Sequence, residues 1–193
     1  LIYTYIYQKK NKIMSNFLCT ICVRKNSKEI KNKNFKKFLN SNLTNITIAQ
    51  SKKIKIFDKI VLSTDLTKNK LKKLIKVDLT IHRPKKFANN VVSKLEAIKH
   101  AHLMSEKYFK KKFDYIVDLD VTSPLRKVKD IENCIKLFIK NKNSSNLITG
   151  ALSKKNPFFN QTRVTNGKAY PVIKSKIKSR QQVKDIFDLN AAI

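Results

Sequence analysis

The chain has 193 residues, of which 41% are hydrophobic, and it carries a formal net charge of +30 at pH 7. This length supports one globular domain with its own core and is short for two. Its apolar runs fall short of the ~18 residues that a membrane-spanning helix requires, so we expect a soluble protein without a membrane partner.

The positive charge allows two interpretations. Dense Lys and Arg are typical of nucleic-acid binding, but only five of the 43 basic residues are arginine and the lysines are spread along the chain. Lysine, asparagine and isoleucine share A/T-rich codons, so we favour codon bias with a solvated surface over a nucleic-acid partner. The field would still favour anionic substrates.

The cysteines argue against a secreted, disulfide-bonded protein. Cys19, Cys22 and Cys134 are too few and odd in number, which predicts a reducing cytoplasm. Cys19 and Cys22 have the spacing of a zinc or redox pair but lie within an apolar strand pattern. Residues three apart on a strand point to opposite faces, so we expect two buried core thiols and no metal site there.

Short apolar runs alternate with amphipathic stretches, which indicates βαβ units around a mostly parallel sheet. The predicted strands are 17–23, 59–63, 77–81, 115–120 and one beginning within 147–152. The predicted helices are 43–53, 68–76, 91–111 and 128–140. Leu95, Ile98 and His102 share one helix face, which places His102 at the edge of the core. Residues 156–193 are less periodic and predict irregular strands or an arm.

The first residue is Leu1 and the first methionine is Met14, directly before the first strand pattern. We therefore expect residues 1–13 to be a disordered or non-native tail. Residues 14–193 would then form a single domain.

The loop after the first predicted strand is rich in polar and cationic residues. Ligands of open α/β sheets bind beyond the carboxyl ends of the strands, and this loop lies at that position. The cations Arg24, Lys28 and Lys33 suit a triphosphate, and Ser27 and Asn34 add neutral hydrogen bonds. A lysine-rich surface loop is the alternative. The loop contains no glycine, so it is not a Walker A motif or a dinucleotide fingerprint.

A second polar stretch follows the fourth predicted strand. Asp118 and Asp120 are two residues apart and share a strand face, where a pair of carboxylates needs a cation. Mg²⁺ prefers such oxygen ligands, which makes Asp120 a candidate metal ligand. The alternative is that one carboxylate caps the following turn while the other pairs with a lysine. Arg126 is placed to meet an anion or an internal carboxylate.

Seven short motifs occur in an order that resembles the acylneuraminate cytidylyltransferase (CMP-sialic acid synthetase) family from Met14 onward. The motifs are VRKNSK with Lys33 and Asn34, IVLSTD at 60–65, Arg83-Pro84, TSPLR at 122–126, NPF at 156–158, RQQ at 180–182 and NAAI at 190–193. The resemblance implies a three-layer αβα nucleotidyltransferase (Rossmann-like) fold with a mostly parallel, mixed sheet.

The resemblance also implies a reaction and a set of site residues. CMP would pass from CTP to the anomeric hydroxyl of a nine-carbon, sialic-acid-like sugar, with release of pyrophosphate. Arg24, Lys28 and Lys33 would be catalytic. The nucleotide would contact Arg24, Ser27, Lys28, Lys33, Asn34, Arg83 and Ser93. The acidic sugar would be lined or supported by Thr122, Ser123, Arg126, Arg180, Gln181 and Asn190. Mg²⁺ would be the cofactor, the enzyme would be a homodimer, and its product would feed surface-glycan assembly.

Some positions depart from the family pattern. Glu29 stands where the family has glycine after Ser-Lys, and Asp120-Val121 replaces Gln-Pro before TSPLR. An acidic family residue after Arg83-Pro84 corresponds to Asn90. The family's later aspartate motif lies beyond Ile193, so we expect the domain to be truncated at its C-terminus. The alternatives are a cytidylyltransferase for another acidic sugar, an inactive scaffold homologue and a basic nucleic-acid-binding protein.

Overall fold

A computed structural model of the chain describes residues 15–25, 30, 32–87, 93–177, 179–183, 185–190 and 192–193. The tail expected over 1–13 lies outside the described residues, as do Ser27, Lys28, Glu29 and Asn90. The strands are β1 Phe17–Val23, β2 Lys37–Phe38, β3 Ser41–Asn42, β4 Lys59–Thr64, β5 Leu79–His82, β6 Tyr115–Asp118, β7 Gly150–Leu152, β8 Thr162–Thr165, β9 Lys168–Pro171 and β10 Phe187–Leu189. The α-helices are α1 Leu43–Lys52, α2 Lys68–Leu71, α3 Lys94–Phe109 and α4 Val128–Lys140.

Four strands form a parallel central sheet in the order β5-β4-β1-β6. Strand β1 lies inside the sheet, which accounts for its nearly continuous run of buried side chains. Antiparallel pairs form elsewhere, between β2 and β3, β7 and β10, and β8 and β9. The predicted mixed α/β fold with a parallel central sheet is confirmed.

Apolar clusters cover both faces of the sheet. On one face, Cys19, Ile48 from α1 and Ile131 from α4 belong to the same buried cluster. On the other face, Leu18 packs with Ile98 from α3 in a second cluster. Helices therefore lie on both sides of the sheet, giving three layers.

The two neighbouring cysteines lie on opposite faces, as predicted. Cys19 belongs to the first apolar cluster, whereas Cys22 packs against the second. Burial raises the pKa of both thiols, and the carboxylate of Asp118 raises it further. These thiols are therefore neutral core side chains at physiological pH.

Two helix predictions were wrong in part. Helix α2 ends at Leu71, although the pattern predicted a helix over 68–76. In α3, the buried residues are Ala97, Ile98, Ala101 and Ser105, whereas Leu95 is 43% exposed. The buried face of α3 therefore consists mostly of small side chains, and the larger Leu95 lies outside it. His102 is half-buried, with its Nε2 3.2 Å from Glu106 Oε1.

Strand β6 is shorter than predicted, because it ends at Asp118 and not at residue 120. The chain then turns through Asp120 and Thr122 toward α4. Within the described residues, no helix combines the length and apolar character that crossing a lipid bilayer requires.

Candidate active site

The carboxyl ends of the four parallel strands meet at one edge of the sheet. Arg24 follows β1, Asp65 follows β4, Arg83 follows β5 and Asp120 lies two residues after β6. Ligand sites of open α/β sheets are found at this edge. The fold therefore brings together residues from the separate polar stretches of the sequence.

A lysine joins the two aspartates of this edge. Lys94 Nζ lies 2.7 Å from Asp118 Oδ2 and 2.8 Å from Asp120 Oδ2. Thr20 on β1 donates its hydroxyl to Asp118 Oδ1 at 2.7 Å. The side chain of Asp118 is only 6% exposed, compared with 21% for Asp120 and 36% for Lys94. The pair of carboxylates therefore has its cation within the protein.

The pKa directions agree with this pairing. Burial alone would lower the pKa of Lys94, but the charges of Asp118 and Asp120 outweigh burial and raise it. Burial likewise acts to raise the pKa of Asp120, whereas Lys94 and the hydrogen bonds from Thr122 lower it below its ordinary value. Lys94 and Asp120 are therefore both charged at neutral pH.

The turn after β6 is held by its own hydrogen bonds. Thr122 donates to Asp120 Oδ1 from its backbone N at 2.7 Å and from its hydroxyl at 2.6 Å. This contact matches one alternative from the sequence, in which one aspartate caps the turn and a lysine pairs with a carboxylate. Ser123 is half-buried, and its carbonyl oxygen accepts from the backbone N of Arg126.

Arg126 lies beneath this turn and is only 7% exposed. Its Nη1 donates to the carbonyl oxygens of Asp120 and Ala192, and its Nη2 donates to Gln50 Oε1 at 3.0 Å. Gln50 Nε2 in turn donates to the carbonyl oxygens of Pro124 and Arg126. Arg126 thus supports the turn through α1 and the C-terminal residues. Direct contact with a sugar carboxylate stays a prediction.

Arg83 occupies the neighbouring part of the edge. It is 5% exposed, its Nη2 donates to the Ser63 carbonyl oxygen at 2.8 Å and its Nε to the Ser63 hydroxyl at 3.2 Å. Its backbone N donates to the Thr64 carbonyl oxygen, continuing the pairing of β4 and β5. A rigid guanidinium is therefore fixed beside the strand ends.

The loop after β1 is attached to the same edge. Lys25 donates its backbone N to Asp65 Oδ1 at 2.6 Å, and Asn34 Nδ2 donates to the Arg24 carbonyl oxygen at 3.3 Å. Lys33 and Asn34 belong to a 3-10 helix, Lys33–Phe35. Asn34 is buried, and its Oδ1 has no hydrogen-bond partner within the described part of the chain. One buried acceptor of this loop therefore lacks a partner among the described residues.

Three further predicted site residues are more exposed than Arg83 and Arg126. Ser93 is the exposed N-cap residue of α3, next to Lys94, and its side chain makes no capping hydrogen bond. Gln181 is exposed in the 3-10 helix Arg180–Gln182. Asn190 contacts Thr149 through its side chain and its backbone N. Asn190 lies two residues before Ala192, whose carbonyl oxygen accepts from Arg126.

Three contributors were absent from the sequence-based site: Thr20, Gln50 and Lys94. Thr20 has an apolar strand environment, and Gln50 lies 76 residues from Arg126, so neither had a local signal. Lys94 had none either, because the sequence predicted the helix from residue 91 and only the structure makes Lys94 its first residue.

The fit of the site to Mg²⁺ can be tested on these contacts. Within the described ranges, no group of three or more His, Cys, Asp or Glu side chains is arranged to hold a metal ion. Asp120, the candidate ligand from the sequence, is bonded to Lys94 and Thr122. The Asp118–Asp120 pair, as these contacts stand, does not fit a divalent cation.

The chain is similar in sequence to two proteins of known name. The chain is 39% identical over 185 residues to the post-translational flagellin modification protein B of Campylobacter coli, covering 93% of this chain and 77% of that protein. It is 35% identical over 181 residues to the CMP-N,N'-diacetyllegionaminic acid synthase of Campylobacter jejuni, with the same two coverages.

A solved structure shares the fold at low sequence identity. The 4-diphosphocytidyl-2C-methyl-D-erythritol synthase of Anaerococcus prevotii superposes with a TM-score of 0.54 at 13% identity, covering 90% of this chain and 68% of that one. The family model described as Cytidylyltransferase matches residues 18–192, nearly the whole chain. The chain therefore belongs to the cytidylyltransferase family.

Proposed function

We propose that this protein activates a nonulosonic acid, a nine-carbon acidic sugar, by transferring CMP from CTP to its anomeric hydroxyl. Family membership and the relative named CMP-N,N'-diacetyllegionaminic acid synthase support CTP-dependent transfer of CMP to an acidic sugar. The observation that carries the proposal is the convergence of Arg24, Asn34 and Arg83 at one edge of the sheet. That edge offers cations and a buried amide to a nucleotide.

The proposed chemistry is an in-line attack of the sugar's anomeric oxygen on the α-phosphorus of CTP. A new P–O bond forms, the bond between the α-phosphorus and the bridging oxygen breaks, and pyrophosphate leaves with that electron pair. The hydroxyl proton passes to solvent or to a basic group. Catalysis of this kind is mainly positioning and charge neutralisation.

Each part of the loop after β1 has a role in this proposal. Arg24 and Lys33 neutralise the triphosphate, together with Lys28 and Ser27, which lie outside the described residues. The buried Oδ1 of Asn34 is a hydrogen-bond acceptor for the nucleotide. We assign Arg83, which is fixed against Ser63, and Ser93, at the start of α3, to the nucleoside. Mg²⁺ enters as the cation that accompanies the CTP triphosphate.

The sugar is proposed to be of the diacetyllegionaminic type. The Campylobacter jejuni relative is named for that sugar, and its identity to this chain is 35% over 93% of the length. The turn that replaces Gln-Pro with Asp120-Val121 places a carboxylate, 21% exposed, at the edge of the sheet. N-acetylneuraminate, the sialic acid suggested by the resemblance, is the alternative substrate. We also propose that the reaction takes place in the cytoplasm and that its product supplies surface-glycan assembly.

Pyrophosphate release tests the proposal. The protein is incubated with CTP, Mg²⁺ and either N,N'-diacetyllegionaminate, N-acetylneuraminate or an eight-carbon sugar acid. We expect release with a nine-carbon acid and the highest kcat/KM with the diacetylated sugar. Highest activity with N-acetylneuraminate would reassign the sugar, and no release with any acid would overturn the proposal.

A lysine variant tests the role of the loop in the same assay. We predict that Lys33→Ala lowers kcat/KM for CTP by about a hundredfold, because a cation that contacts the triphosphate is lost. Lys37→Ala removes an exposed lysine of β2 and serves as the matched control. Equal rates in the two variants would remove Lys33 from the nucleotide site.

A homodimer is also part of the proposal. Hairpin β8–β9 exposes every one of its strand residues, and Val164 is 72% exposed. Val172 and Ile173, directly after the hairpin, are 45% and 40% exposed. Exposed apolar side chains on this hairpin and directly after it favour a surface that a second subunit covers.

A further inference from the structure

Lys94 occupies a position that helix electrostatics disfavours. It is the first residue of α3, a helix of 16 residues, and the N-terminus of a helix carries a partial positive charge. An exposed lysine there would gain nothing from the helix. Lys94 instead contacts two carboxylates at the end of β6. These contacts explain why a lysine stands at the first position of α3.

The carboxylate oxygens of this cluster have nearby donors within the protein. Asp118 accepts from Thr20 at Oδ1 and from Lys94 at Oδ2. Asp120 accepts from Thr122 at Oδ1 and from Lys94 at Oδ2. A divalent cation that bridged the two aspartates would have to displace the ammonium group of Lys94 from between them.

We infer that Lys94 is the built-in counter-ion of the Asp118–Asp120 pair and takes the place that a divalent cation would otherwise have at this strand end. With the ammonium group of Lys94 in place, the cluster has one net negative charge. It then requires no ion from solution. Lys94 also acts as a positioning residue, since it fixes the carboxylate that holds the Asp120–Thr122 turn.

Metal binding without substrate tests the counter-ion role. Bound Mn²⁺ is measured by electron paramagnetic resonance on the full chain, without CTP or sugar, for wild type and for the variants Lys94→Met, Lys94→Arg and Lys99→Met. Lys99 is an exposed lysine of the same helix and is the matched control. We expect one additional Mn²⁺ site in Lys94→Met alone, and its loss in the double variant Lys94→Met, Asp120→Asn.

Two results would overturn the inference. One is a Mn²⁺ ion on the wild-type protein that Asp120→Asn removes, because the pair would then bind metal in the presence of Lys94. The other is a folded Lys94→Met variant without an additional site. Circular dichroism establishes folding, and if Lys94→Met does not fold, the comparison of wild type with Asp120→Asn decides alone.

The positioning role rests on the proposed function and is measured separately. In the pyrophosphate assay we expect Lys94→Met to lower kcat/KM for the sugar by at least about tenfold and Lys94→Arg to restore most of it, because a guanidinium can bridge the same carboxylates. Equal losses in both variants, or none, would contradict this role. The Mn²⁺ result does not depend on the sugar, so failure of the proposed function leaves it interpretable.

Discussion

Arg126 holds together three parts of the chain that are far apart in sequence. Its guanidinium contacts Gln50 on α1, the carbonyl oxygen of Asp120 after β6 and the carbonyl oxygen of Ala192. All of these contacts are made by a side chain that is 7% exposed. The arginine of the TSPLR motif is therefore a structural support of the turn, whether or not it also meets the sugar.

We predict that Arg126→Met lowers the free energy of unfolding by about 3 kcal/mol, because buried acceptors lose their donors. Urea unfolding followed by circular dichroism measures the change. Arg163→Met, in the exposed strand β8, is the control and should alter stability by less than about 0.5 kcal/mol. Similar small changes in both variants would show that the Arg126 contacts contribute little to stability.

Asp120 makes stability depend on pH in a defined direction. Its folded pKa is below the ordinary value of 3.8, because Lys94 and Thr122 outweigh the effect of burial. A group with a lowered folded pKa contributes stability above its unfolded pKa and loses that contribution as the pH falls through the folded pKa. The charged carboxylate therefore stabilises the fold at neutral pH.

We predict that the difference in unfolding free energy between wild type and Asp120→Asn is constant between about pH 6 and pH 8 and shrinks below about pH 4. Urea unfolding across this range measures it. Glu132→Gln, at a pair with Lys129 whose atoms are 4.0 Å apart, provides a weakly paired control. A difference for Asp120→Asn that persists unchanged into acid would show that its charge does not stabilise the fold.

At the scale of residues, local patterns pointed to part of the candidate site. Asp118, Asp120 and Arg126 attract notice in the sequence because they lie at the end of a strand or shortly after it, within one short motif. The side chains that contact them could not be predicted. Lys94 is 26 residues from Asp120, and Gln50 is 76 residues from Arg126. Only tertiary packing brings these polar groups together, so a single sequence carries no pairwise signal for them.

Among the elements, helix α4 shows how a strong periodic pattern determines packing. Ile131, Ile135 and Phe138 lie on the predicted stripe, and all three are buried. Phe138 is 5% exposed and meets the ring of Tyr115 edge-on, with centroids 6.1 Å apart. The stripe attaches α4 to β6, whose end carries Asp118, so this packing also positions the site.

We predict that Phe138→Ala lowers the free energy of unfolding by about 3 to 5 kcal/mol, the usual range for removing a buried aromatic ring. Leu137→Ala changes the adjacent residue of the same helix, which is 59% exposed, and should cost less than about 1 kcal/mol. Chemical denaturation of both variants gives the comparison. Equal losses would mean that α4 does not pack through the Phe138 stripe.

The other elements show where periodicity loses its predictive value. Strands β1 and β4 matched their predicted positions closely because continuous apolar runs have few alternatives. Helix α2 was overpredicted since its lysines fit any solvated conformation. Helix α3 begins at Lys94 and buries a face of small residues, which hydrophobicity alone does not identify.

At the scale of the molecule, the net charge of +30 has a consequence for assembly as well as for substrates. Two such chains repel each other over the whole surface, so an interface between them needs apolar contacts that exceed this repulsion. In the proposed dimer, hairpin β8–β9 and the residues after it would supply such contacts, since Val164, Val172 and Ile173 are each at least 40% exposed. The repulsion weakens as salt is added, because the Debye length shortens.

We therefore predict a dimer that becomes tighter with added salt and that Val164→Asp disrupts, since a carboxylate would be buried in the apolar interface. Sedimentation velocity measures the dissociation constant, and we expect an increase of at least about a hundredfold. Leu103→Asp changes a 54% exposed leucine on α3, outside the hairpin, and should leave the dimer intact. A wild-type protein that sediments as a monomer at high salt, or equal weakening by both variants, would exclude the hairpin as the dimer interface.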